Sequence, residues 1–260
     1  MLKLKLILLV LFSLTIGFSR ISYSAAPKDD LEITSLLNQL ESKDLSKQRK
    51  ARGELIENYE KFNDKLIKAR KKKGISDRLW KEIMVTLELI KLKKNNIKGG
   101  KSKKGVKAFL NTYKTKYKIG EDIHLQFILQ NMSDKDLVLL YGSYSLQNWK
   151  PGLGYIEIFD EKGNLVKLKT FPGGKISIPA KKWFKTIKPD HIISPPSNHL
   201  NHIWKPKQPG KYKIIIHYNS LPYYVKNFIG KNKEYDKLIK RIPEINISTN
   251  ELTIEIVSKK

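Results

Sequence analysis

The stretch "YKIGEDIHLQFILQN", residues 117–131, alternates apolar and polar side chains, as a half-buried β-strand does. Every second residue from Ile123 to Leu129 is apolar, and most of the residues between them are polar. A Gly-Glu turn opens the strand, and the turn sequence Asn-Met-Ser-Asp-Lys closes it. The pattern predicts that one face of the strand packs against a core. The residues on the opposite face are His124, Gln126 and Gln130.

The same two-residue period continues from about Ala108 to the C-terminus. Roughly seven short strands are separated by turn residues, and no helical pattern interrupts the series until residue 219. Such a series is typical of an antiparallel β-sandwich. Besides residues 117–131, one predicted strand starts at Phe109. The others lie in residues 137–141, in the hairpin 154–169, and in residues 181–187, 209–218 and 250–258.

Three stretches of this half resemble a known family. They are "YKIGEDIHLQFILQNMSDKDLVL", "GYIEIFDEKGNLV" and "QPGKYKIIIHY". Together they resemble the BsuPI-like intracellular proteinase inhibitor domain and similar bacterial immunoglobulin-like (Ig-like) modules, which implies an Ig-like sandwich. Proteinase inhibition stays open as an alternative function. The likeness lies in turn and strand residues: Gly120, Glu121, Asn131, Asp160, Gly163 and Pro209 to Tyr212.

The N-terminal part shows a helical period instead. Apolar residues recur at helical spacing from Ile33 to Ile90. Asp44 is a suitable N-cap, and the last helical pattern starts at Ser76 or Asp77. We therefore predict a small helical bundle of three or four helices over residues 28–98. The part around Leu36 to Leu40 and Asp44 to Leu55 resembles one or two HEAT-type repeats. That resemblance implies a surface for stacking or protein binding.

Between the two halves lies a lysine-rich stretch, residues 91–107, with eight lysines, three glycines and no acidic residue. Self-repelling charge without apolar periodicity predicts an exposed linker. We accordingly predict α and β elements in separate domains. The boundaries are a signal peptide over 1–25, a HEAT-like helical domain over 28–98, a linker over 99–106 and an Ig-like β-sandwich over 107–258.

The first residues predict export. Lys3 and Lys5 precede an apolar run from Leu6 to Phe18, and small residues follow it, which is the order of a secretory signal peptide. As a helix the run would span about 20 Å, less than the ~30 Å hydrocarbon core, so a retained anchor is the weaker interpretation. We expect cleavage after Ser24 or Ala25 and a periplasmic, cell-envelope or secreted protein without a transmembrane segment.

The chain carries a formal net charge of +26 and has no cysteine. The charge predicts an anionic partner, either an acidic protein or an anionic envelope polymer, although a lysine-rich genome composition is the alternative explanation. Export argues against nucleic acid. The missing cysteines exclude disulfides and thiol catalysis.

The sequence contains few signs of catalysis. No Gly-x-Ser-x-Gly, phosphate-binding loop or dinucleotide fingerprint occurs, so we expect a non-catalytic protein without a cofactor. His191, His199 and His202 lie within twelve residues and are the candidate ligands for a metal-dependent alternative. The neighbouring Pro195-Pro196 favours a surface loop instead.

Residues 219–246 form an unusually long insertion between the last two predicted strands. Aromatic and basic residues alternate in it, a composition that suits protein recognition. The alternative is a short helix that covers a sheet edge with Leu238, Ile239 and Ile242. The candidate binding residues are Tyr223, Tyr224, Lys226, Phe228, Lys231, Lys233, Lys240 and Arg241.

Overall fold

The computed structural model describes residues 28–140, 154–169, 184–194, 198–220 and 233–258. A region of four helices is followed by β-sheets that form an Ig-like β domain, which confirms the predicted fold class. Among the described residues, no helix is both long and apolar enough to cross a membrane. The helices are α1 (Lys28–Glu41), α2 (Leu45–Glu57), α3 (Tyr59–Arg70), α4 (Asp77–Lys94) and the short α5 (Lys233–Ile239).

Side-chain caps fix where two of the helices begin. The Asp44 carboxylate accepts hydrogen bonds from the backbone N–H groups of Ser46 (2.9 Å) and Lys47, so it caps α2. The Ser76 hydroxyl accepts from Leu79 N–H at 3.1 Å and caps α4. The apolar stripes of the four helices meet in one core. Its fully buried members include Leu40, Leu55, Phe62, Leu66 and Ile83.

The β domain contains two main sheets and a small one. Sheet A pairs β1 with β3 and adds β7 and β8, sheet B is built around β9, and β4 pairs with β6. All pairings are antiparallel except β2 with β11. The strands are β1 (Val106–Thr112), β2 (Lys116–Lys118), β3 (His124–Asn131), β4 (Leu137–Leu140), β5 (Gly154–Phe159), β6 (Phe184–Ile187), β7 (Ile192–Ile193), β8 (Asn198–His199), β9 (Gly210–Ser220), β10 (Ile245–Ser248) and β11 (Leu252–Val257).

The inward faces of sheets A and B form the β-domain core. Leu125, Phe127 and Leu129 of β3 are at most 1% exposed, and they share one cluster with Ile214 and Ile216 of β9. The predicted alternation of 117–131 therefore gives the observed inward face. The side chain of Asn131 closes the strand, because it accepts from Ser133 N–H (2.9 Å) and donates to the Ile187 carbonyl (2.9 Å).

The other face of β3 is covered too, which the sequence pattern did not predict. Ile128 is fully buried and packs with Phe109 of β1 and with Leu92 of α4. Gln126 donates to Glu88 of α4 at 2.7 Å. Helix α4 therefore lies on the outward face of sheet A, so this strand is buried on both sides rather than on one.

The lysine-rich stretch joins the two domains. Its lysines at 101, 103 and 104 are exposed, but its backbone packs against the β domain. Gly100 N–H donates to the Ala108 carbonyl at 2.9 Å, and an ideal Cβ on Gly100 would lie 1.8 Å from the Ser248 carbonyl oxygen. Only a glycine fits this close approach.

The insertion 219–246 is described in part. Strand β9 continues through Ser220, and β10 begins at Ile245, so both ends of the insertion belong to sheet B. Helix α5 and the turn after it pack against the small sheet through four buried residues. These are Val138, Phe184, Ile239 and Ile242.

Candidate functional site

Most of the predicted binding residues lie outside the described part of the chain. This applies to Tyr223, Tyr224, Lys226, Phe228 and Lys231, and to the side chain of Lys233. Lys240 and Arg241 are described, and both are exposed just after α5. Tyr235 of α5 meets Phe184 edge-to-face at 5.7 Å, so this helix covers the face of the small sheet that points away from the main β-domain core.

The three candidate metal ligands are not seen together. The side chains of His199 and His202 lie outside the described residues. The His191 ring is engaged at both nitrogens: Nδ1 lies 2.9 Å from the Pro189 carbonyl oxygen and Nε2 lies 3.2 Å from Glu82 Oε1. Within the described ranges, no three His, Cys, Asp or Glu side chains are grouped to hold a metal ion.

Glu82 and His191 belong to a polar seam between the helices and the β domain. Arg52 of α2 donates to Glu82 of α4 at 2.5 Å, and both side chains are less than a tenth exposed. Asp190 lies 3.7 Å from the Arg52 guanidinium. Positive and negative side chains therefore alternate in the seam. Their mutual attraction offsets the free-energy cost of removing them from water.

A second arginine extends the seam to the surface. Arg49 Nε donates to Asp190 at 2.6 Å, Nη1 pairs with Asp134, and Nη2 donates to the Ser133 carbonyl at 3.2 Å. These bonds raise the pKa of Arg49, most strongly through Asp190. One arginine therefore fastens α2 to two separate turns of the β domain.

Electrostatics in the seam favour the ionised carboxylate. Burial raises the pKa of Glu82, but hydrogen bonds and charge attraction from His191 and Arg52 outweigh it, so the pKa lies below its ordinary value. Both nitrogens of His191 lie near an oxygen atom, Nδ1 near the Pro189 carbonyl and Nε2 near the Glu82 carboxylate. The seam is thus a network of charges that holds the two domains together.

A second histidine, His217, belongs to a group of hydrogen-bonded and stacked side chains on the outward face of sheet B. His217 Nε2 is 2.8 Å from Glu157 Oε2, and its Nδ1 is 2.8 Å from Ser248 Oγ. Because a carboxylate only accepts, Nε2–H donates to Glu157, and in that tautomer Nδ1 accepts from the Ser248 hydroxyl. Tyr155 stacks on this ring, with centroids 4.2 Å apart and planes at 15°.

We name Tyr155, Glu157, His217 and Ser248 the Tyr155 platform. The register explains how they meet, because Tyr155 and Ser248 both lie directly opposite His217 on the two strands that flank β9. The next charges along this face are also paired, with Lys213 Nζ 3.1 Å from Glu251. The platform is therefore polar and aromatic, and the Glu157 carboxylate is its acidic member.

Four lysines form a contrasting cluster at another part of the β domain. Lys167 and Lys169 alternate with Val166 and Leu168, which pack on the core, and Lys205 and Lys207 flank the buried Pro206. Lys169 N–H donates to the Ile203 carbonyl at 2.8 Å, so the two segments lie side by side. We name Lys167, Lys169, Lys205 and Lys207 the lysine cluster. All four are exposed, and none has an ion pair within the described part of the chain.

One open pocket of about 340 Å³ lies at the end of sheet B. Glu161, Lys211 and Glu255 contribute its charges, and the rest of its lining is mainly backbone and apolar atoms of neighbouring residues. Asp160 beside it accepts hydrogen bonds from Asn164 and Lys162, which lower its pKa and stabilise the hairpin turn. The carboxylates give this pocket a mixed charge, unlike the lysine cluster.

Sequence reasoning had missed both surface groups. The sequences Lys-Leu-Lys at 167–169 and Lys-Pro-Lys at 205–207 already place alternate lysines on one side of an extended chain. The platform had a weaker signal, because its members come from three strands. The neighbours of His217 depend on the strand register, which no local pattern gives.

No family model matches the chain, and no curated protein matches it either. Solved structures give distant likenesses. The CARDB domain of a Pyrococcus furiosus protein, solved with di-metal ions, is 10% identical over 59% of this chain and 94% of its own, with a TM-score of 0.29. The C-terminal domain of Wzt is 9% identical over 62% and 78%, with a TM-score of 0.31.

A third likeness extends over both domains. The alkylpurine DNA glycosylase AlkC of Pseudomonas fluorescens, bound to DNA containing an abasic site analog, covers 86% of this chain and 64% of its own. The identity is 11% and the TM-score is 0.26.

Proposed function

We propose that this chain is an exported, non-catalytic binding or assembly protein that engages an acidic protein or an anionic envelope polymer through its basic Ig-like domain. The observation that carries the proposal is the lysine cluster. Four exposed lysines without acidic partners in the described residues lie on two adjoining segments. Exposed positive charges that lack an acidic partner within the protein are available to an anionic ligand.

The sequence supports the cellular context of this proposal. The order of basic, apolar and small residues before Pro27 is that of an export signal, and the net charge of +26 attracts anionic partners over a distance. In this proposal the HEAT-like helices supply a second contact surface, and the β domain is a BsuPI-like module. The seam keeps the two surfaces in a fixed relation.

The insertion remains part of the proposal. Lys240 and Arg241 are exposed, and Tyr223 and Tyr224 would add short-range contacts to the attraction of the lysines. Charged rim residues act mainly on the association rate, whereas aromatic anchors act on dissociation.

Poly-L-glutamate is a suitable probe for the lysine cluster. Replacing Lys167, Lys169, Lys205 and Lys207 by Ser should weaken binding about tenfold at low salt and flatten its salt dependence, since each exposed ion pair contributes little by itself. Binding would be measured by calorimetry at several NaCl concentrations. The matched control replaces four exposed lysines of the helical region, which lowers the net charge equally. These are Lys68, Lys71, Lys72 and Lys73.

Equal weakening in both variants would mean that only the total charge matters, and unchanged binding in the cluster variant would refute the proposed surface.

The assignment as a non-catalytic protein has its own test. Ser248, His217 and Glu157 are hydrogen-bonded in the sequence of a serine–histidine–carboxylate relay. We expect a fluorophosphonate probe not to label the protein. Labelling that disappears in Ser248→Ala would overturn the assignment as a non-enzyme.

A further inference from the structure

The Tyr155 platform has the properties of a binding site for a ligand without charge. We propose that it binds a neutral, hydroxyl-rich saccharide, with the Tyr155 ring as the stacking surface. This goes beyond the proposed attraction of an anionic partner, because it concerns another part of the domain and another kind of interaction.

The ring of Tyr155 is held in place before any ligand arrives. One of its faces stacks on His217, and Tyr155 remains 48% exposed, as expected when one face of a ring is covered and the other is open. His217 in turn is fixed by Glu157 and Ser248, each at 2.8 Å. A ring with so little freedom loses little conformational entropy on binding, so its contact area contributes fully to affinity.

The groups around the ring suit hydroxyls. The Glu157 carboxylate accepts hydrogen bonds, the Ser248 hydroxyl can accept one while it donates to His217, and the exposed Asn246 amide on the same face both donates and accepts. A saccharide hydroxyl is likewise a donor and an acceptor. The CH groups of a sugar ring are apolar enough to pack against an aromatic face.

Charge separates this surface from the lysine cluster. Glu157 is the acidic member of the platform, and His217 is bonded to it. The neighbouring Lys213 is paired with Glu251. A polyanion would meet Glu157 here and gain nothing from the paired lysine, whereas the lysine cluster offers it four unpaired charges. The platform therefore disfavours a polyanion, and its hydrogen-bonding groups suit a neutral saccharide.

The test uses linear hexasaccharides of glucose, N-acetylglucosamine and mannose, titrated into the full chain by calorimetry or NMR. At least one should bind saturably, with an affinity that changes less than about twofold between low and high salt, because no ion pair forms. Tyr155→Ala should weaken binding at least about tenfold. Tyr155→Phe keeps the ring and should stay within about threefold of the parent.

Tyr113 provides the matched control. It is 70% exposed on sheet A, so Tyr113→Ala removes an exposed tyrosine from a different surface and should leave saccharide binding unchanged. The Ser variant of the lysine cluster should also bind the saccharide normally. This variant distinguishes the two proposals, since it is impaired only toward poly-L-glutamate.

Three results would overturn the inference. They are the failure of all three saccharides to bind, equal losses in Tyr155→Ala and Tyr113→Ala, and binding that weakens steeply with salt. Thermal unfolding of each variant shows whether a loss of binding reflects a loss of fold. A Tyr155→Ala protein that unfolds at the temperature of the parent and binds saccharide as well as the parent refutes the site directly.

Discussion

The two main sheets of the β domain have opposite outer surfaces. On sheet A, Phe109 and Ile128 point outward and are covered by α4. Arg52 and Glu82 are buried beside them, and His191 is partly buried. On sheet B, the outward residues remain partly exposed and bond to one another across the strands. Both surfaces contain a histidine bonded to a glutamate. The two pairs differ at the glutamate, because the Glu82 side chain is 6% exposed and the Glu157 side chain is 32% exposed.

This contrast teaches how to interpret outward positions of a strand. An outward apolar residue such as Ile128 indicates that another element covers the sheet, whereas an outward row of Tyr, His and Ser indicates a free surface. The difference between the covered and the free surface should also appear in the free energy of unfolding, and three measurements test it.

The largest effect is expected for the buried carboxylate. Glu82→Ala leaves the buried Arg52 with only the more distant Asp190 as a counter-charge and removes the partner of His191 Nε2, which should lower the free energy of unfolding by about 3–5 kcal/mol. Urea denaturation followed by circular dichroism measures this. Glu157→Ala removes the glutamate of the other pair and should cost about 1 kcal/mol or less, because that site is partly solvated. Similar losses in the two variants would contradict the distinction between the surfaces.

A smaller effect is expected for the apolar contact with α4. Ile128 is fully buried, so Ile128→Ala should destabilise the protein by about 2–4 kcal/mol through lost burial and a cavity. Ile215 points outward on sheet B and is only half-buried, so Ile215→Ala should cost about 1 kcal/mol or less. The same denaturation experiment compares the pair. If Ile215→Ala proved the more damaging change, sheet B would have a cover of its own.

The smallest effect concerns pH. The pKa of Glu82 is lowered in the folded state, so its contribution to stability is present above the unfolded pKa of about 4.3 and is lost as the pH falls through the folded value. Stability should therefore decrease as the pH is lowered from about 5 to about 3. Glu121 and Asp160, whose pKa values are also lowered, act in the same direction.

The variant Glu82→Gln isolates the contribution of this group. Relative to its own stability at neutral pH, it should lose less than the parent over the same range, because position 82 no longer titrates. If the stability of the parent and of Glu82→Gln depended on pH in the same way, the ion pairs of Glu82 would not stabilise its ionised form in the folded protein.

Local patterns predicted much of the architecture. Asp44 was recognisable as a helix cap, a helix start was located at Ser76 or Asp77, and the alternation in 117–131 identified the residues that now fill the core. These features depend on neighbours in sequence, so a single chain reveals them. The pairing of Arg49 with Asp134 and Asp190 was not predictable, because its partners are 85 and 141 residues away.

The sequence by itself determined that helices precede strands, the approximate positions of the longer strands, the basic charge and the inward face of each long strand. All of these follow from side-chain periodicity and backbone preference over a few residues. Only the tertiary structure decided which outward face is covered and which strands lie side by side. It thereby placed Tyr155, His217 and Ser248 in one row and brought two lysine pairs together. Such groupings depend on strand register and domain docking, and these are set by long-range packing rather than by any local pattern.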